Sequence, residues 1–335
     1  MSVRRKVILG LIILILSAGL LKAQYVHFSQ FYAAPLVLAP SFTGANEGAR
    51  ATLNYRDQWT GIKKGVYITS AFAFDVRASK IKSGFGLLVV RDQAGSGNLG
   101  RLDVGVLYSW NTQVTKSGIY FRPGIELKFA QRGVDFEKLI FPDQLSFDGQ
   151  HYSTSNPPPT LRKKFFLDAR ASLLLYSEKF WVGLTVDHLF RPNDAFYDPN
   201  YRTPLKYSFF GGYKFGNYSH RNRVSDNYMI SYQMRYQGGS YQLDIGGYWE
   251  HEPVIVGLWL RGLPYLNITG TVNMDAMVFM VGYHIFNFTV GYSYDLTVSP
   301  LLMSAGGSHE ISINYSFATQ RRAHRRKGAI PCPKM

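Results

Sequence analysis

The sequence predicts an all-β protein: a transmembrane antiparallel β-barrel of about 14 strands, with an N-terminal plug-like segment and a short basic C-terminal tail. Three observations support this fold class. Apolar and aromatic side chains alternate with polar or small ones between residues 49 and 317. Aromatic residues make up 15% of the chain, which suits strands and the aromatic girdles of membrane barrels. The mean hydropathy is only −0.10, and charged residues interrupt the apolar runs that follow the N-terminus.

The alternation is clearest in residues 101–114. A strand places successive side chains on opposite faces, so one face can meet lipid while the other lines a polar interior. Closure of such strands into a cylinder satisfies the backbone hydrogen bonds of a sheet inside a membrane. A soluble β-sandwich would also alternate, but it rarely needs so many long, aromatic strands. The predicted lipid face of this segment consists of Leu102, Val104, Val106, Tyr108, Trp110, Thr112 and Val114.

The N-terminus has the pattern of a secretory signal peptide. A basic cluster at residues 4–6 precedes an apolar run over residues 7–21, and Ala23 offers a cleavage site. The apolar run is shorter than the roughly 20 residues of a spanning helix, although a membrane anchor stays open as an alternative. The predicted organisation is a signal peptide (1–23), an N-terminal periplasmic or plug segment (24–48), an outer-membrane barrel (49–317) and a basic periplasmic tail (318–335).

The predicted barrel strands are even in number, as expected when both termini lie on the periplasmic side. Their boundaries carry an uncertainty of about 2–4 residues. They lie near residues 49–59, 66–77, 84–92, 101–115, 118–131, 164–176, 179–190, 205–216, 225–237, 240–250, 253–262, 272–283, 285–297 and 307–317.

The lengths of the connections predict the orientation, because bacterial barrels have short periplasmic turns and longer outer loops. Two connections break the rule: 217–224 is long where a turn is expected, and 237–240 is tight where a loop is expected. The remaining pattern predicts an outer-membrane protein with its N- and C-termini in the periplasm. The predicted outer loops lie near residues 92–100, 132–163, 191–204, 263–271 and 298–306.

Several motifs suggest chemistry, but each has a simpler interpretation. Residues 95–100 spell G-x-G-x-x-G, yet a strand follows instead of the helix that a dinucleotide site needs. His309 and Glu310 lack the second histidine of a zinc-protease helix. Asp187 and His188 are expected within one strand, with side chains on opposite faces. No G-x-S-x-G elbow is present. We therefore expect no enzyme activity, no cofactor and no metal.

The formal net charge of +15 is concentrated at the two ends of the chain. Neither the signal peptide nor the tail contains an acidic residue, and the body between them has a modest basic surplus that does not indicate nucleic acid as a partner. The tail is either an ordinary solvated tail or a periplasmic arm that docks on an acidic partner. The chain has a single cysteine, Cys332 in this tail, which excludes an intramolecular disulfide. The candidate partner-binding residues of the tail are Arg321, Arg322, Arg325, Arg326, Lys327 and Cys332.

The N-terminal segment 24–48 has too many apolar side chains to remain in water. Its prolines prevent a long helix. We predict that it packs into or under the periplasmic mouth as a partial plug, with an N-terminal strand or a disordered leader as alternatives. Arg56, in the first strand, is expected to be a lumen charge in a polar network. The candidate partner-binding residues of the segment are Phe28, Gln30, Phe31, Pro35, Pro40 and Phe42.

Two sequence pieces carry a family resemblance: residues 27–36 read HFSQFYAAPL, and residues 39–44 read APSFTG. Further agreement comes from NYRDQW at 54–59, GSHEIS at 307–312 and the proline-cysteine-proline of 331–333. Over essentially its whole mature length, the chain resembles the PorP/SprF family of outer-membrane proteins of the type IX secretion and gliding machinery of Bacteroidetes. It departs from the usual family pattern where Tyr25 and Val26 precede the first motif, and at Ala39.

The resemblance implies a non-enzymatic barrel that binds protein partners to support export or surface attachment of a cargo such as a gliding adhesin. The implied partners are type IX secretion or gliding proteins and outer-membrane lipid. Among the proteins, the resemblance implies periplasmic ring or peptidoglycan-binding components and a secreted adhesin. A porin or small-molecule transporter is the alternative function, and a lipid-modifying enzyme is a third. In a porin, four lumen residues would favour anions: Arg122, Lys128, Arg170 and Arg235.

Overall fold

Fourteen antiparallel strands form a closed barrel in the computed structural model of the chain. The structure describes residues 28–61, 67–95, 97, 99–136, 139, 163–216, 226–263, 275–298 and 306–317. The predicted signal peptide and basic tail, and most of the predicted outer loops 132–163, 263–271 and 298–306, lie outside the described residues.

The strands follow the predicted order closely. They are β1 (Ala49–Gln58), β2 (Ile68–Ala78), β3 (Ser83–Ala94), β4 (Leu99–Trp110), β5 (Thr112–Gln113), β6 (Tyr120–Gly133), β7 (Lys163–Tyr176), β8 (Phe180–Asp187), β9 (Lys206–Gly216), β10 (Asn227–Gln237), β11 (Ser240–His251), β12 (Val254–Arg261), β13 (Ala276–Ile285), β14 (Phe288–Thr297) and β15 (Ser308–Ser316).

The pairing of β1 with β15 and of β4 with β6 completes the circuit of the wall. β5 is an extra strand of two residues that pairs with the start of β6. Every other strand pairs with its neighbours in sequence. The prediction of an antiparallel barrel of about 14 strands is therefore confirmed.

The wall presents an apolar outer face and a polar inner face. Along β4, Val106 is 60% exposed, whereas the neighbouring Leu107 and Ser109 are buried. The same two-residue alternation places Arg56 inside and Tyr55 outside on β1. A continuous belt of exposed apolar and aromatic side chains of this kind suits contact with lipid.

Two predicted strands end earlier than expected. The predicted strand 101–115 stops at Trp110, and the chain resumes as β5. The predicted strand 179–190 stops at Asp187, because His188 adopts a left-handed backbone conformation with φ of 63°. The side chains of Asp187 and His188 are both buried, so the expectation that they point to opposite faces of one strand is wrong. Among the described residues, we find no helix long and apolar enough to cross a membrane.

The two ends of the barrel are named by its strands. The terminal end is where β1 begins at Ala49 and β15 finishes at Ser316. The far end is where β1 finishes at Gln58 and β15 begins at Ser308. Because the strands are antiparallel, each turn or loop belongs to one of these two ends.

The N-terminal segment contains a one-turn helix, α1 (Pro35–Leu38), and a 3-10 turn (Pro40–Phe42). A proline occupies the first position of each element, where its fixed φ fits and its missing N–H is not needed. Pro40 also prevents α1 from continuing, since a proline lacks the donor that the next helical hydrogen bond requires. The result is a compact, irregular segment, as the prolines predicted.

Glycines on the inner face of the wall make room for this segment. A Cβ at Gly84 would overlap the carbonyl oxygen of Thr43, and a Cβ at Gly124 would overlap the backbone of Pro40 and Ser41. These are contacts with backbone atoms, which cannot rotate away as the end of a side chain can. The wall and the segment therefore fit each other at the level of the main chain.

A matched pair of glycine substitutions tests this fit. We expect Gly124→Ala to lower the free energy of unfolding by about 1–3 kcal/mol, because the added methyl overpacks the interior. The control is Gly282→Ala on β13, where the nearest atom to the new Cβ would be 3.5 Å away. Urea unfolding in lipid vesicles, followed by tryptophan fluorescence, measures both. Equal stability of the two variants would contradict close packing of residues 40–41 on β6.

Candidate functional site

The described part of the N-terminal segment, residues 28–48, lies inside the barrel and crosses the lumen. Its beginning contacts β14 and β15 near the far end, and its finish contacts β2 and β3 near the terminal end. Except for residue 37, all residues from 28 to 44 are buried. The segment therefore occupies part of the barrel lumen.

At the far end, the segment is held by two carboxylates of the wall. The backbone N–H groups of Ser29 and Gln30 donate to the two oxygens of Glu310, at 2.8 and 2.9 Å. The Ser29 hydroxyl donates to Asp295 at 2.7 Å. Gln30 is completely buried, and its side chain bonds Ser293, Ser312 and the Glu310 carbonyl.

Two arginines complete this arrangement. Arg56 pairs with Asp295 at 2.7 Å and with Glu310 at 3.1 Å, and Arg261 pairs with Asp295 at 2.6 Å. Both guanidinium groups also donate to the Ser29 hydroxyl. With two positive and two negative charges, the group is balanced. We call it the anchor network: Ser29, Gln30, Arg56, Arg261, Asp295 and Glu310.

The anchor network satisfies the expectation that Arg56 is a lumen charge in a polar network. Only 1% of Arg56 is exposed, so its charge is almost fully removed from solvent. A buried charge costs several kcal/mol unless it is paired and hydrogen-bonded. The network meets that requirement by joining β1, β12, β14 and β15 to the N-terminal segment.

The segment reaches deeper than the sequence suggested. Arg56 lies two residues before the end of β1, and Glu310 lies two residues after the start of β15. Ser29 and Gln30 therefore lie near the far end, whereas we expected the segment in or under the mouth where the barrel strands begin. The alternation of the wall strands could not show this depth, because it contains no information about which wall residues an irregular segment contacts.

An aromatic cluster holds the middle of the segment. The rings of Phe31 and Trp259 meet edge to face with centroids 4.6 Å apart. Tyr32 packs edge to face on Trp181 and Tyr248, and its hydroxyl accepts a hydrogen bond from the Trp181 indole N–H at 3.1 Å. Aromatic pairs in such geometry add about 0.5–1.5 kcal/mol each beyond the burial of their area. The two neighbouring aromatics therefore fix the segment against β8, β11 and β12.

Arg170 on β7 binds the backbone of α1. Its guanidinium donates to the carbonyls of Leu36 and Val37 at 2.7 and 2.6 Å. These carbonyls belong to the last turn of the helix, where no intrahelical donor is available. The same guanidinium pairs with Glu126 at 2.6 Å and with Asp187 at 3.4 Å. One side chain thus joins the segment to β6 and β8.

The segment is also fixed at the terminal end. The Thr43 carbonyl accepts from the hydroxyl of Ser109, at 2.7 Å, and from Arg122. The backbone N–H of Gly44 donates to Asp75 at 2.7 Å, and Asp75 in turn pairs with Arg50 at 2.9 Å. Polar wall residues therefore satisfy the irregular backbone where it approaches β1 and β2.

The sequence-predicted site residues of the segment lie inside the barrel. All six are buried, so a partner could reach them only after the segment moved; their role in partner binding stays a prediction. They are Phe28, Gln30, Phe31, Pro35, Pro40 and Phe42. The candidates of the tail, from Arg321 to Cys332, lie outside the described residues.

The lumen arginines and lysine that would favour anions in a porin are engaged by other groups. Besides Arg170, the Lys128 ammonium lies 3.7 Å from Asp168, and Arg235 pairs with Asp244. Arg122 donates to the Thr43 carbonyl and to Ser109. Acidic side chains therefore compensate the charges of Lys128, Arg170 and Arg235, whereas the partners of Arg122 are neutral.

The β8–β9 loop, residues 188–205, folds over the lumen at the far end. Asp194 of this loop is buried and pairs at 2.9 Å with Arg132 on the inner face of β6. Between the loop and Val37 of the segment lies a cavity that Lys128 and His188 help to line. Its charged lining residues are balanced in sign: Arg101, Lys128, Arg170 and Lys206 with Asp92, Asp103, Glu126 and Asp187.

The histidines serve as structural partners in this arrangement. His188 Nδ1 lies 2.7 Å from Asp168, which joins the β8–β9 loop to β7. His309 Nδ1 lies 2.7 Å from the hydroxyl of Tyr292 on the neighbouring strand. Within the described ranges, no group of three or more histidine, cysteine or acidic side chains could hold a metal ion.

Sequence reasoning missed the partners that matter most: Asp295, Glu310 and Arg261 in the anchor network, and Trp181 and Trp259 in the aromatic cluster. The available signal was inward-facing charge in otherwise apolar strands, because a buried charge demands a partner. The sequence could have named candidates in this way. It could not have matched them with residues 29–32.

These features define a membrane β-barrel of the outer-membrane type whose interior holds its own N-terminal segment. The family model described as type IX secretion system membrane protein PorP/SprF matches residues 20–315. The chain therefore belongs to the PorP/SprF family, as the N-terminal motif indicated. A search of curated proteins found no significant match.

Solved structures with a similar fold are also membrane barrels. A TodX monoaromatic hydrocarbon channel mutant has a TM-score of 0.44 and 10% identity, covering 84% of this chain and 92% of that one. The KdgM porin has a TM-score of 0.37 and 10% identity, covering 80% and 99%. Omp33 of Acinetobacter baumannii has a TM-score of 0.39 and 7% identity, covering 82% and 100%. Similarity at this level says nothing about what this chain binds or transports.

Removal of Arg56 tests the anchor network. We expect Arg56→Met to lower the free energy of unfolding by about 3–5 kcal/mol, because Glu310 is left buried without its cation. The double variant Arg56→Met/Glu310→Gln should recover part of that loss, since a neutral amide has no charge to desolvate. The control Lys179→Met, in an exposed turn, should change stability by less than about 0.5 kcal/mol. Urea titration in vesicles measures these variants together with the single variant Glu310→Gln, and additive effects of the two network substitutions would refute the pairing.

Proposed function

We propose that this chain is a non-enzymatic outer-membrane barrel of the type IX secretion system that its own N-terminal segment plugs. In this proposal it binds protein partners and supports export or surface attachment of a cargo such as a gliding adhesin, and it does not conduct solutes. Family membership supports the assignment to type IX secretion. The observation that carries the plug is the anchor network, which fastens residues 29–30 to four wall strands.

The physical support for a closed barrel is the cost of opening it. Withdrawal of the segment would leave Glu310 without two backbone donors and would expose the aromatic surfaces of Trp181 and Trp259 to water. It would also remove the acceptors of Arg170 at Leu36 and Val37. A segment held at so many points is suited to a permanent structural role.

The proposed partners are those of the family: other type IX secretion or gliding proteins, including periplasmic ring or peptidoglycan-binding components, and a secreted adhesin. We place the terminal end of the barrel, where β15 finishes, on the periplasmic side. The basic tail that follows Phe317 then extends toward periplasmic partners, and its cations favour an acidic surface. The far end, where Ser29 and Gln30 lie, then faces the cell exterior, so this orientation does not support the predicted periplasmic position of the N-terminus.

Planar-bilayer recording tests closure of the lumen. The purified mature chain should give no steady ion-selective conductance, because in this proposal residues 28–44 block the lumen. A variant lacking residues 24–45 should conduct, provided that heat-modifiable electrophoresis shows a folded barrel. The exposed-turn variant Lys179→Ala serves as the control and should stay closed. Stable open channels from the intact chain would instead support the porin or small-molecule transporter.

Co-purification from outer membranes tests partner binding by the tail. We compare the full chain, a chain truncated after Phe317, and a full-length chain with the tail residues 321, 322 and 325–327 changed to glutamine. Loss of a periplasmic type IX partner from both altered chains is expected, because both lose the positive charge. Retention of every partner by the truncated chain would end the proposed role of the tail, and failure of the unaltered chain to recover any type IX protein would oppose partner binding as a whole.

A further inference from the structure

A short turn at the terminal end of the barrel carries two exposed lysines. Residues 79–82 connect β2 and β3, read Ser-Lys-Ile-Lys, and are all solvent-exposed. A 3-10 turn over Ser79–Ile81 and a left-handed Lys82, with φ of 54°, set the backbone of this connection. It lies outside the anchor network and the aromatic cluster. We call residues 79–82 the lysine turn.

Hydrogen bonds join the lysine turn to the end of β4. The Lys82 carbonyl accepts the backbone N–H of Asn111 at 2.8 Å. Ser83, the next residue after the turn, lies opposite Trp110 in the register of β3 and β4. The hydroxyls of Ser83 and Tyr108 are 3.1 Å apart. The lysine turn and the last outward-facing residues of β4 therefore form one surface.

Aromatic side chains cover the outer face of the wall next to the lysine turn. Phe85 on β3 lies opposite Tyr108 on β4, and their ring centroids are 5.5 Å apart. Phe85, Tyr108 and Trp110 are 41–45% exposed, and we call these three residues the outer aromatic patch. Membrane barrels carry such aromatics where the hydrocarbon meets the headgroups. The lysine turn therefore lies at the level of the lipid headgroups.

The lysine turn has a surplus of positive charge. It contains Lys80 and Lys82 and no acidic residue, and residues 104–118, which include the neighbouring end of β4, also lack acids. Among the residues that the structure describes, neither ammonium group is paired with a carboxylate. Both lysines therefore offer a full charge and free hydrogen-bond donors to a ligand.

The acids on the other side of the turn are already balanced. Asp75 on β2 is buried and pairs with Arg50 at 2.9 Å. Glu47 precedes Gly48, whose carbonyl accepts the backbone N–H of Arg77, so a cation accompanies this acid as well. When both acids are counted against these arginines, the two charges of the lysine turn remain.

This combination of groups fits a lipid with a negatively charged headgroup. Lysine binds phosphate as a point charge, and basic groups near a membrane surface attract anionic lipids. Lysine stems also let the ammonium groups reach the headgroup level. The outer aromatic patch offers an apolar surface to acyl chains, and Ile81, 58% exposed between the two lysines, adds to it. A soluble acidic protein would meet the lysines and leave the rings unused.

We infer that the lysine turn and the outer aromatic patch form a binding site for one anionic phospholipid, such as phosphatidylglycerol. Lys80 and Lys82 bind its phosphate, and the rings of the patch contact its acyl chains. The choice of a phospholipid rests on the proposed orientation, because the periplasmic leaflet of an outer membrane is built of phospholipids. The site does not depend on type IX partners, and it goes beyond the proposed function.

Native mass spectrometry of the purified mature chain, released from detergent micelles, tests the site by measuring the binding of single lipids. The probes are phosphatidylglycerol and phosphatidylcholine with identical acyl chains, and lipid A. We expect phosphatidylglycerol to bind at least about fivefold more tightly than phosphatidylcholine, because only its headgroup carries a net negative charge. Equal affinities for these two phospholipids would overturn the inference.

Removal of the two charges locates the binding. Lys80→Gln/Lys82→Gln should lower the affinity for phosphatidylglycerol at least about fivefold and leave that for phosphatidylcholine unchanged. The control Arg191→Gln/Arg202→Gln removes the same charge from exposed residues at the far end and should change neither affinity. Equal losses in the two double variants would refute the site. A lysine variant that lost affinity for lipid A but kept phosphatidylglycerol would refute the assignment to a phospholipid.

Truncation of the outer aromatic patch tests the contact with acyl chains. Trp110→Ala should weaken both phospholipids by a similar factor, since their acyl chains are the same. Unchanged binding of both would contradict this part of the site. Heat-modifiable electrophoresis verifies that each variant folds.

The lipid measurement is independent of the proposed function, because it uses the purified chain alone. Its failure, with type IX proteins still co-purifying from outer membranes, would refute the lipid site and leave the proposed function standing. Failure of co-purification, with lysine-dependent binding of phosphatidylglycerol, would refute partner binding and leave the lipid site standing.

Discussion

The paired charges at the far end of the lumen are the constraint on which the interior depends. Arg56 and Arg261 neutralise Asp295 and Glu310, and the first residues of the N-terminal segment fill the remaining hydrogen-bonding positions. Each of these charges would be costly to bury alone. The segment and the wall therefore stabilise each other, because each supplies hydrogen-bonding partners that the other lacks. A lumen built in this way is occupied and nearly neutral.

The outer face obeys a different constraint. Lipid offers no hydrogen bonds to the backbone, so every strand must pair on both sides and the sheet must close. The pairing of β1 with β15 completes that closure. Side chains of the outer face then need only be apolar, as Val106 and Leu167 are, without specific contacts. The inner face carries the specific interactions, and this division explains why charges such as Arg170 concentrate inside.

Different parts of the chain lie at the two ends of the lumen. The N-terminal segment runs from the far end to the terminal end, where its backbone lies close to Gly84 and Gly124. The β8–β9 loop covers the far side through Asp194 and Arg132. The cavity between them is lined by charges of both signs in equal number.

The sequence by itself determined the barrel, its strand number and the inward position of Arg56, because these follow from a period of two residues that every strand repeats. It also indicated that Pro35 and Pro40 keep the N-terminal segment irregular. Only the tertiary structure decided how deep that segment lies and which charges meet. Arg56 and Glu310 are 254 positions apart, and their pairing depends on the closure and register of the whole wall. Local periodicity fixes which face a side chain points to, but a partner across the lumen is chosen by the geometry of the closed cylinder.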